Sequence, residues 1–290
     1  MPHKNDRTDR IALVTGGTDG IGKEIALGLA RRGYRLIVIG RDVEKGSRAE
    51  NDMIASGATS ARFLQADLGV IEQARTLATL LTNSLRALDV LVHSAGVALG
   101  TRQLTTEGIE RNFATNYLSR FVLTQELLPL LERCDRAARI LLISGAARSG
   151  KIYFDDINLT EHFLLPRALM QVCKANDVFA LTLARRLAET RANVDVACLK
   201  VGVVKTNIRK EFPRWLKWLA PLLFDPLLAQ PASVVADSAL RLIDSDQFES
   251  AGVLFSHILR FKPLRAKPDL ADPDLGSRLW ALSERLAEPS

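Results

Sequence analysis

The strongest constraint on this chain is the run Thr15-Gly16-Gly17-Thr18-Asp19-Gly20-Ile21-Gly22. It follows the short apolar stretch Ile11 to Val14 and leads at once into a helically spaced segment, Ile21 to Arg32. Glycines between a strand and a helix let the backbone turn sharply and approach a pyrophosphate, whose charge then sits at the positive end of the helix. A plain tight turn has no need of that order of elements. The order therefore predicts a dinucleotide cradle on Thr15, Gly16, Thr18, Asp19, Gly20, Ile21 and Gly22.

Downstream, short β-branched or apolar runs alternate with longer segments whose apolar residues recur every three or four positions. Strands are predicted at Ile11 to Val14, Arg35 to Ile39, Ala61 to Gln65, Val90 to His93, Arg139 to Ile143, Val194 to Leu199 and Val253 to Ser256. Helices are predicted at Ile21 to Arg32, Val43 to Ser56, Ile71 to Leu85, Thr106 to Leu131, Ala168 to Thr190 and Ala232 to Ile243, with a C-terminal one from Leu275 to Leu286. Neither a linker nor an internal repeat interrupts the pattern. It predicts one α/β domain over 1–290: a doubly wound, seven-stranded parallel Rossmann-type sheet with helices on both faces. Chemistry in such a fold belongs to the loops beyond the carboxyl ends of the strands.

Charge narrows the function further. The 39 basic and 33 acidic residues are scattered, and the net charge of +6 forms no basic block interleaved with aromatics, which argues against nucleic acid as a partner. The polar start MPHKNDRTDR lacks the apolar core of a signal peptide, so a cytoplasmic protein is expected. Cys134, Cys173 and Cys198 fit neither a disulfide framework nor a zinc site, and no metal is expected. The longest apolar stretch, Trp215 to Ala229, is broken by Lys217, Pro221, Asp225 and Pro226 and is too short for integral membrane association.

Cofactor choice is read at the end of the second strand. An acidic residue there would hold the ribose 2′-hydroxyl of NAD, whereas Gly40-Arg41 offers a guanidinium suited to a 2′-phosphate. NADPH is the expected cofactor; the neighbouring Asp42 keeps NADH open.

The G-x-x-x-G-x-G spacing of the cradle resembles that of the short-chain dehydrogenase/reductase family, and the likeness runs along nearly the whole chain. Asp67-Leu68 looks like that family's adenine contact, and His93-Ser94-Ala95-Gly96 stands where the family has Asn-Asn-Ala-Gly. Asn116 matches its helix asparagine, and Thr206 a residue that contacts the nicotinamide carboxamide. The resemblance also implies homo-oligomers built through the helices around Thr106 to Leu131 and Ala168 to Thr190.

The likeness breaks where protons move. The family pairs a tyrosine acid with a lysine one helical turn later, and orients the substrate carbonyl with a serine after the fifth strand. Here Met170 holds the tyrosine position before Lys174, and register puts Gly145, rather than Ser144, at the serine. A thioether cannot donate a proton. Lys174 and Asn116 remain to organise the site, with Lys174 on the nicotinamide ribose, while Ser144, Gly145, Met170 and Trp215 are expected to wall the substrate pocket. Tyr153, in the loop after the fifth strand, is a weaker candidate for the acid, and Ser144, Ser149 and His162 are weaker still.

A positioned acid contributes roughly 10²- to 10⁴-fold, so its loss needs another proton source. A ketone beside a phenol carries one of its own. The complete chain resembles an atypical branch of the family, the ketoreductases of angucyclinone-type aromatic polyketide pathways in antibiotic biosynthesis. The implied partner is a small aromatic polyketide. Two rivals stay open: a cofactor-binding pseudoenzyme, and a non-redox cyclase or isomerase using the same pocket. Residues 203–230, rich in Trp and Leu, are expected to form a substrate lid; core, a dimer surface or a peripheral membrane contact are the other readings.

Overall fold

The structure, a computed structural model, describes residues 10–146, 150–202, 230–245, 253–257 and 262–288. The expected lid, with Thr206 and Trp215, and Ser149 lie outside the described residues.

Strands β1 (Ile11–Thr15), β2 (Arg35–Gly40), β3 (Ser60–Gln65), β4 (Val90–His93), β5 (Ala138–Gly145), β6 (Val194–Val201), β7 (Leu254–Ser256) and β8 (Lys262–Leu264) form one sheet in the order β3-β2-β1-β4-β5-β6-β7-β8. The expected count of seven parallel strands is thus corrected to eight, and the last, β8, pairs antiparallel to β7. Its three residues, Lys-Pro-Leu, carry no alternation to read, and Pro263 is tolerated because the strand lies at an edge.

Helices α1 (Gly20–Ala30), α2 (Val43–Ala55), α3 (Ile71–Ser84), α4 (Ser119–Glu132), α5 (Leu165–Thr190), α6 (Ala232–Asp244) and α7 (Pro273–Ala287) cover both faces. Leu13, Leu91, Ile140 and Val196 face α3, α4, α5 and α7, while their neighbours Val14, Val92, Leu141 and Ala197 face α1, α2 and α6. Apolar side chains on both faces explain why these strands read as continuous apolar runs. Each large one removed from water contributes about 1.5–3 kcal/mol, which makes the central strands a rigid base for the loops above them.

The helix expected from Thr106 begins later. Gly108 takes φ of +74°, and the Glu110 carboxylate accepts from the backbone N–H groups of Asn112 (3.0 Å) and Phe113 (2.9 Å), capping a turn at Arg111–Phe113. A π-helical turn, Ala114–Leu118, follows before α4. Such bulges often mark functional sites, and this one carries Asn116. Helix α7 supports it from behind: the hydroxyls of Tyr117 and Ser283 are hydrogen-bonded at 2.7 Å, and Trp280 meets Phe121 edge to face.

Among the described residues no helix is long and apolar enough to cross a membrane, and no cluster of His, Cys, Asp and Glu could hold a metal ion.

Candidate active site

The sheet changes direction between β1 and β4, whose carboxyl ends must diverge to open a crevice. Thr15 ties them together below that point: its Oγ1 accepts from the backbone N–H groups of Ser94 and Ala95, both at 3.1 Å, and donates to Val92 O at 3.4 Å. Above Thr15 the cradle is too tight for side chains. A Cβ on Gly16, whose φ is +66°, would lie 2.8 Å from Ala95 Cα, and one on Gly22 would lie 2.4 Å from Gly16 O. Asp19 caps α1 by accepting from Gly20 N at 2.8 Å, and its second oxygen takes the Lys45 ammonium at 2.6 Å.

A cavity of about 580 Å³ opens over these residues. Gly16, Thr18, Asp19, Gly20 and Ile21 form one wall, with Arg41 and Lys45 at the β2 end. Asp67 and Leu68 line the side beyond β3; the Asp67 carboxylate pairs with Arg111 and also accepts from Gly69 N at 2.9 Å. Ser94, Ala95 and Gly96 lie along the floor, and Ser144, Gly145, Leu169, Val172 and Cys173 close the β5 and α5 end.

Two hydroxyls that line this cavity, Thr115 Oγ1 and Ser144 Oγ, are buried without a hydrogen-bond partner. Native structures satisfy nearly all such groups, so each marks a place for an outside acceptor or donor. Glycines that a Cβ would block and hydroxyls awaiting partners suit a dinucleotide with a second ligand beside it.

Asn116 shapes the floor. Its Oδ1 accepts from Val97 N at 2.8 Å and its Nδ2 donates to Val97 O at 2.9 Å, fixing the loop after β4. The Asn116 carbonyl in turn accepts from Asn176 Nδ2 at 3.0 Å, which joins the π-helical turn to α5. Arg120, one turn beyond Asn116, lines the cavity too. His93, at the end of β4, is fully buried, with Nε2 2.9 Å from Thr124 Oγ1; burial, and after it the charge of Arg120, hold its pKa well below the usual imidazole value.

Helix α5 presents a different face from the one that the spacing suggests. Leu169, Val172, Cys173 and Asn176 line the cavity, whereas Met170 and Lys174 are absent from the described lining and Met170 is 38% exposed. The Lys174 ammonium sits 2.8 Å from Asp269 Oδ2, in the segment before α7. Tyr153 is also off the described wall: its N–H donates to Gln171 Oε1 at 3.0 Å, and its ring lies between Lys151 and Arg167. His162 is exposed. A Cβ on Gly145 would meet Cys173 Sγ at 2.9 Å, so these two positions fit each other as they stand. No carboxyl, imidazole or phenol therefore lies on the described β5 and α5 wall.

Sequence reasoning passed over Lys45, Arg120, Asn176 and Asp269. Arg120 follows Asn116 by one helical turn and Lys45 follows Arg41 by four positions, a signal that was legible; Asp269 had none, because nothing local in sequence links it to Lys174.

This sheet, with its glycine cradle at the switch point, defines a dinucleotide-binding α/β protein. The family profile described as short chain dehydrogenase matches residues 10–154. Human "Retinol dehydrogenase 13" is 30% identical over 98% of this chain and 86% of its own length. The chain belongs to the short-chain dehydrogenase family, a family of oxidoreductases. Among solved structures, an uncharacterized protein from Mycobacterium paratuberculosis superposes with a TM-score of 0.75 at 25% identity, covering 97% of this chain and 96% of that one. The RhlG/NADP active-site complex of Pseudomonas aeruginosa gives 0.67 at 25% identity, covering 86% and 94%.

Proposed function

We propose that this protein is an NADPH-dependent ketoreductase that reduces a carbonyl of an angucyclinone-type aromatic polyketide in antibiotic biosynthesis, with the proton supplied by a phenol of the substrate. One observation carries this reading: a cavity with a dinucleotide cradle at one end whose described β5 and α5 wall carries no carboxyl, imidazole or phenol.

The glycine turn would hold the pyrophosphate, and Arg41 with Lys45 the 2′-phosphate; NADP in the active site of the structurally similar RhlG supports that choice. Asp67 and Leu68 would flank the adenine, Ser94 to Gly96 and Thr206 would hold the nicotinamide half, and Lys174 would turn to the ribose. When bound, NADPH supplies a hydride. Ser144 Oγ would donate to the ketone oxygen. As the carbonyl carbon gains hydride, the C=O π pair moves to oxygen, which takes the proton of the neighbouring phenol. The phenolate left behind is delocalised and recovers a proton from water, so ketone, NADPH and one proton give alcohol and NADP⁺. Internal transfer replaces a barrier reduction of about 3 to 5.5 kcal/mol that a protein acid would supply. In this reading the whole chain works as one domain, with residues 203–230 closing over a flat polycyclic substrate and excluding water.

The test is to incubate the protein with 4-deuterated NADPH and a panel of carbonyl compounds: angucyclinones with a phenol beside the ketone, simple ketones and all-trans-retinal. Deuterium on the carbinol carbon of the phenolic ketones, at rates far above the others, is expected. No label in any phenolic ketone contradicts the reading and leaves cofactor binding without redox, or cyclase or isomerase chemistry. Preferential labelling of retinal would instead place the protein with its retinol dehydrogenase relatives in substrate as well as in sequence.

A further inference from the structure

Arg120 is 5% exposed, yet no carboxylate among the described residues pairs with it. Its Nη1 donates to Ile143 O (2.8 Å) and Asn176 Oδ1 (3.2 Å), and its Nη2 donates to Ala95 O (2.9 Å). All three acceptors are neutral. Its Nε is buried with no partner. Three fixed acceptors on β5, α5 and the loop after β4 lock the side chain in place, and the guanidinium still lines the cavity.

An unpaired cation in a protein interior costs several kcal/mol, and native chains rarely keep one without a use. Burial lowers the Arg120 pKa to about 10, so the charge persists at neutral pH. That charge also reaches His93, where it helps to keep the imidazole neutral. Ser144, the residue after the carbonyl that Arg120 holds, adds a second donor without an acceptor to the same cavity. A fixed cation and a hydroxyl with unspent hydrogen-bonding capacity form a site for an anion, or for an oxygen that becomes one. The pyrophosphate is already provided for at α1, on the other side of the crevice, and the nicotinamide half assigned to Ser94 to Gly96 carries no anion of its own. The ligand left that develops one at this wall is the substrate.

We propose that Arg120, seconded by Ser144, is the anion-stabilising group of the substrate pocket: it acidifies the substrate phenol and holds the phenolate formed when that phenol gives up its proton. The proposal rests on the phenolic-ketone reading above. It accounts for the absence of a counter-ion among the described residues, because a carboxylate on Arg120 would cancel the field that the phenolate needs. It also makes Arg120 a specificity device, favouring substrates with an acidic hydroxyl beside the carbonyl over aliphatic ketones.

The experiment reads the phenol itself without turnover. The protein saturated with NADP⁺ is mixed with 1-hydroxyanthraquinone, whose phenolate absorbs at longer wavelength than its phenol, and the spectrum of the bound quinone is followed against pH. The wild-type complex is expected to raise the acid dissociation constant of the phenol about 10-fold or more over free solution. R120Q should abolish that shift, while R120K and S144A retain part of it; R120K and S144A carry the comparison if R120Q does not fold. A shift of equal size in wild type and all folded variants, with the quinone bound, overturns the assignment of Arg120. A bound phenol with unshifted acidity in the wild type overturns it as well while leaving the reductase reading intact. Failure of the wild-type complex to bind any phenolic quinone overturns both.

Discussion

Lys174 and Asp269 form an ion pair, Nζ to Oδ2 at 2.8 Å, that joins α5 to the segment leading into α7. The lysine side chain is 16% exposed and the aspartate 59%, so the pair is a surface-type one, worth at most about 1 kcal/mol. For Lys174 to donate to a nicotinamide ribose, its ammonium must leave or share that carboxylate. D269N should therefore tighten NADPH binding by about 2- to 5-fold, as measured by quenching of protein fluorescence. Weaker binding would mean that Asp269 instead aims the lysine at the ribose.

Arg41 and Lys45 flank the β2 end of the cavity, and Lys45 is already partnered by Asp19 at 2.6 Å. The R41A/K45A double variant should raise the NADPH dissociation constant about 10-fold or more and change that for NADH by less than about 3-fold. Equal losses for the two cofactors would show that these residues hold something other than the 2′-phosphate.

His93 gives the fold a pH dependence. In the unfolded chain its imidazole titrates near the ordinary value of 6.5; in the folded chain burial, then Arg120, keeps it well below. Below that ordinary value the unfolded chain takes up the proton first. Stability then falls as pH falls, by up to about 1.4 kcal/mol per pH unit, until the folded imidazole also protonates. H93N, which can keep a polar contact to Thr124, should flatten the slope between pH 7 and pH 5 in urea denaturation. An unchanged slope would place the acid sensitivity elsewhere.

Restoring the tyrosine of the family tests which face of α5 matters. Met170 is 38% exposed and off the described wall, so M170Y should leave turnover of phenolic ketones within about 2-fold of wild type and confer no activity on simple ketones. A 10²-fold gain, the lower end of what a positioned acid supplies, would show that the helix face is the one its spacing suggests.

How much of this was legible in the chain follows from range. The glycine turn, the strand positions and most helices were readable because glycine turns and apolar periods are local. Gly108 and the Glu110 cap displaced the start of one helix, since a capping carboxylate can overrule apolar spacing. The edge strand β8 exists only through its pairing with β7, a tertiary fact. Met170 and Gly145 were legible as departures from the family pattern, because each is read from the chain itself. The place of Arg120 was not readable, because it is fixed by Ile143, Asn176 and Ala95, which lie 23, 56 and 25 positions away.

The central claim is that the substrate brings the proton. Its most direct test compares an angucyclinone bearing a free phenol beside the reducible ketone with the methyl ether of the same compound, at saturating NADPH and with binding of both confirmed by competition. The account predicts that the ether is bound yet reduced at least about 100-fold more slowly, since the described β5 and α5 wall carries no carboxyl, imidazole or phenol to take over the proton transfer. Equal turnover of phenol and ether would contradict it and require an acid from the protein.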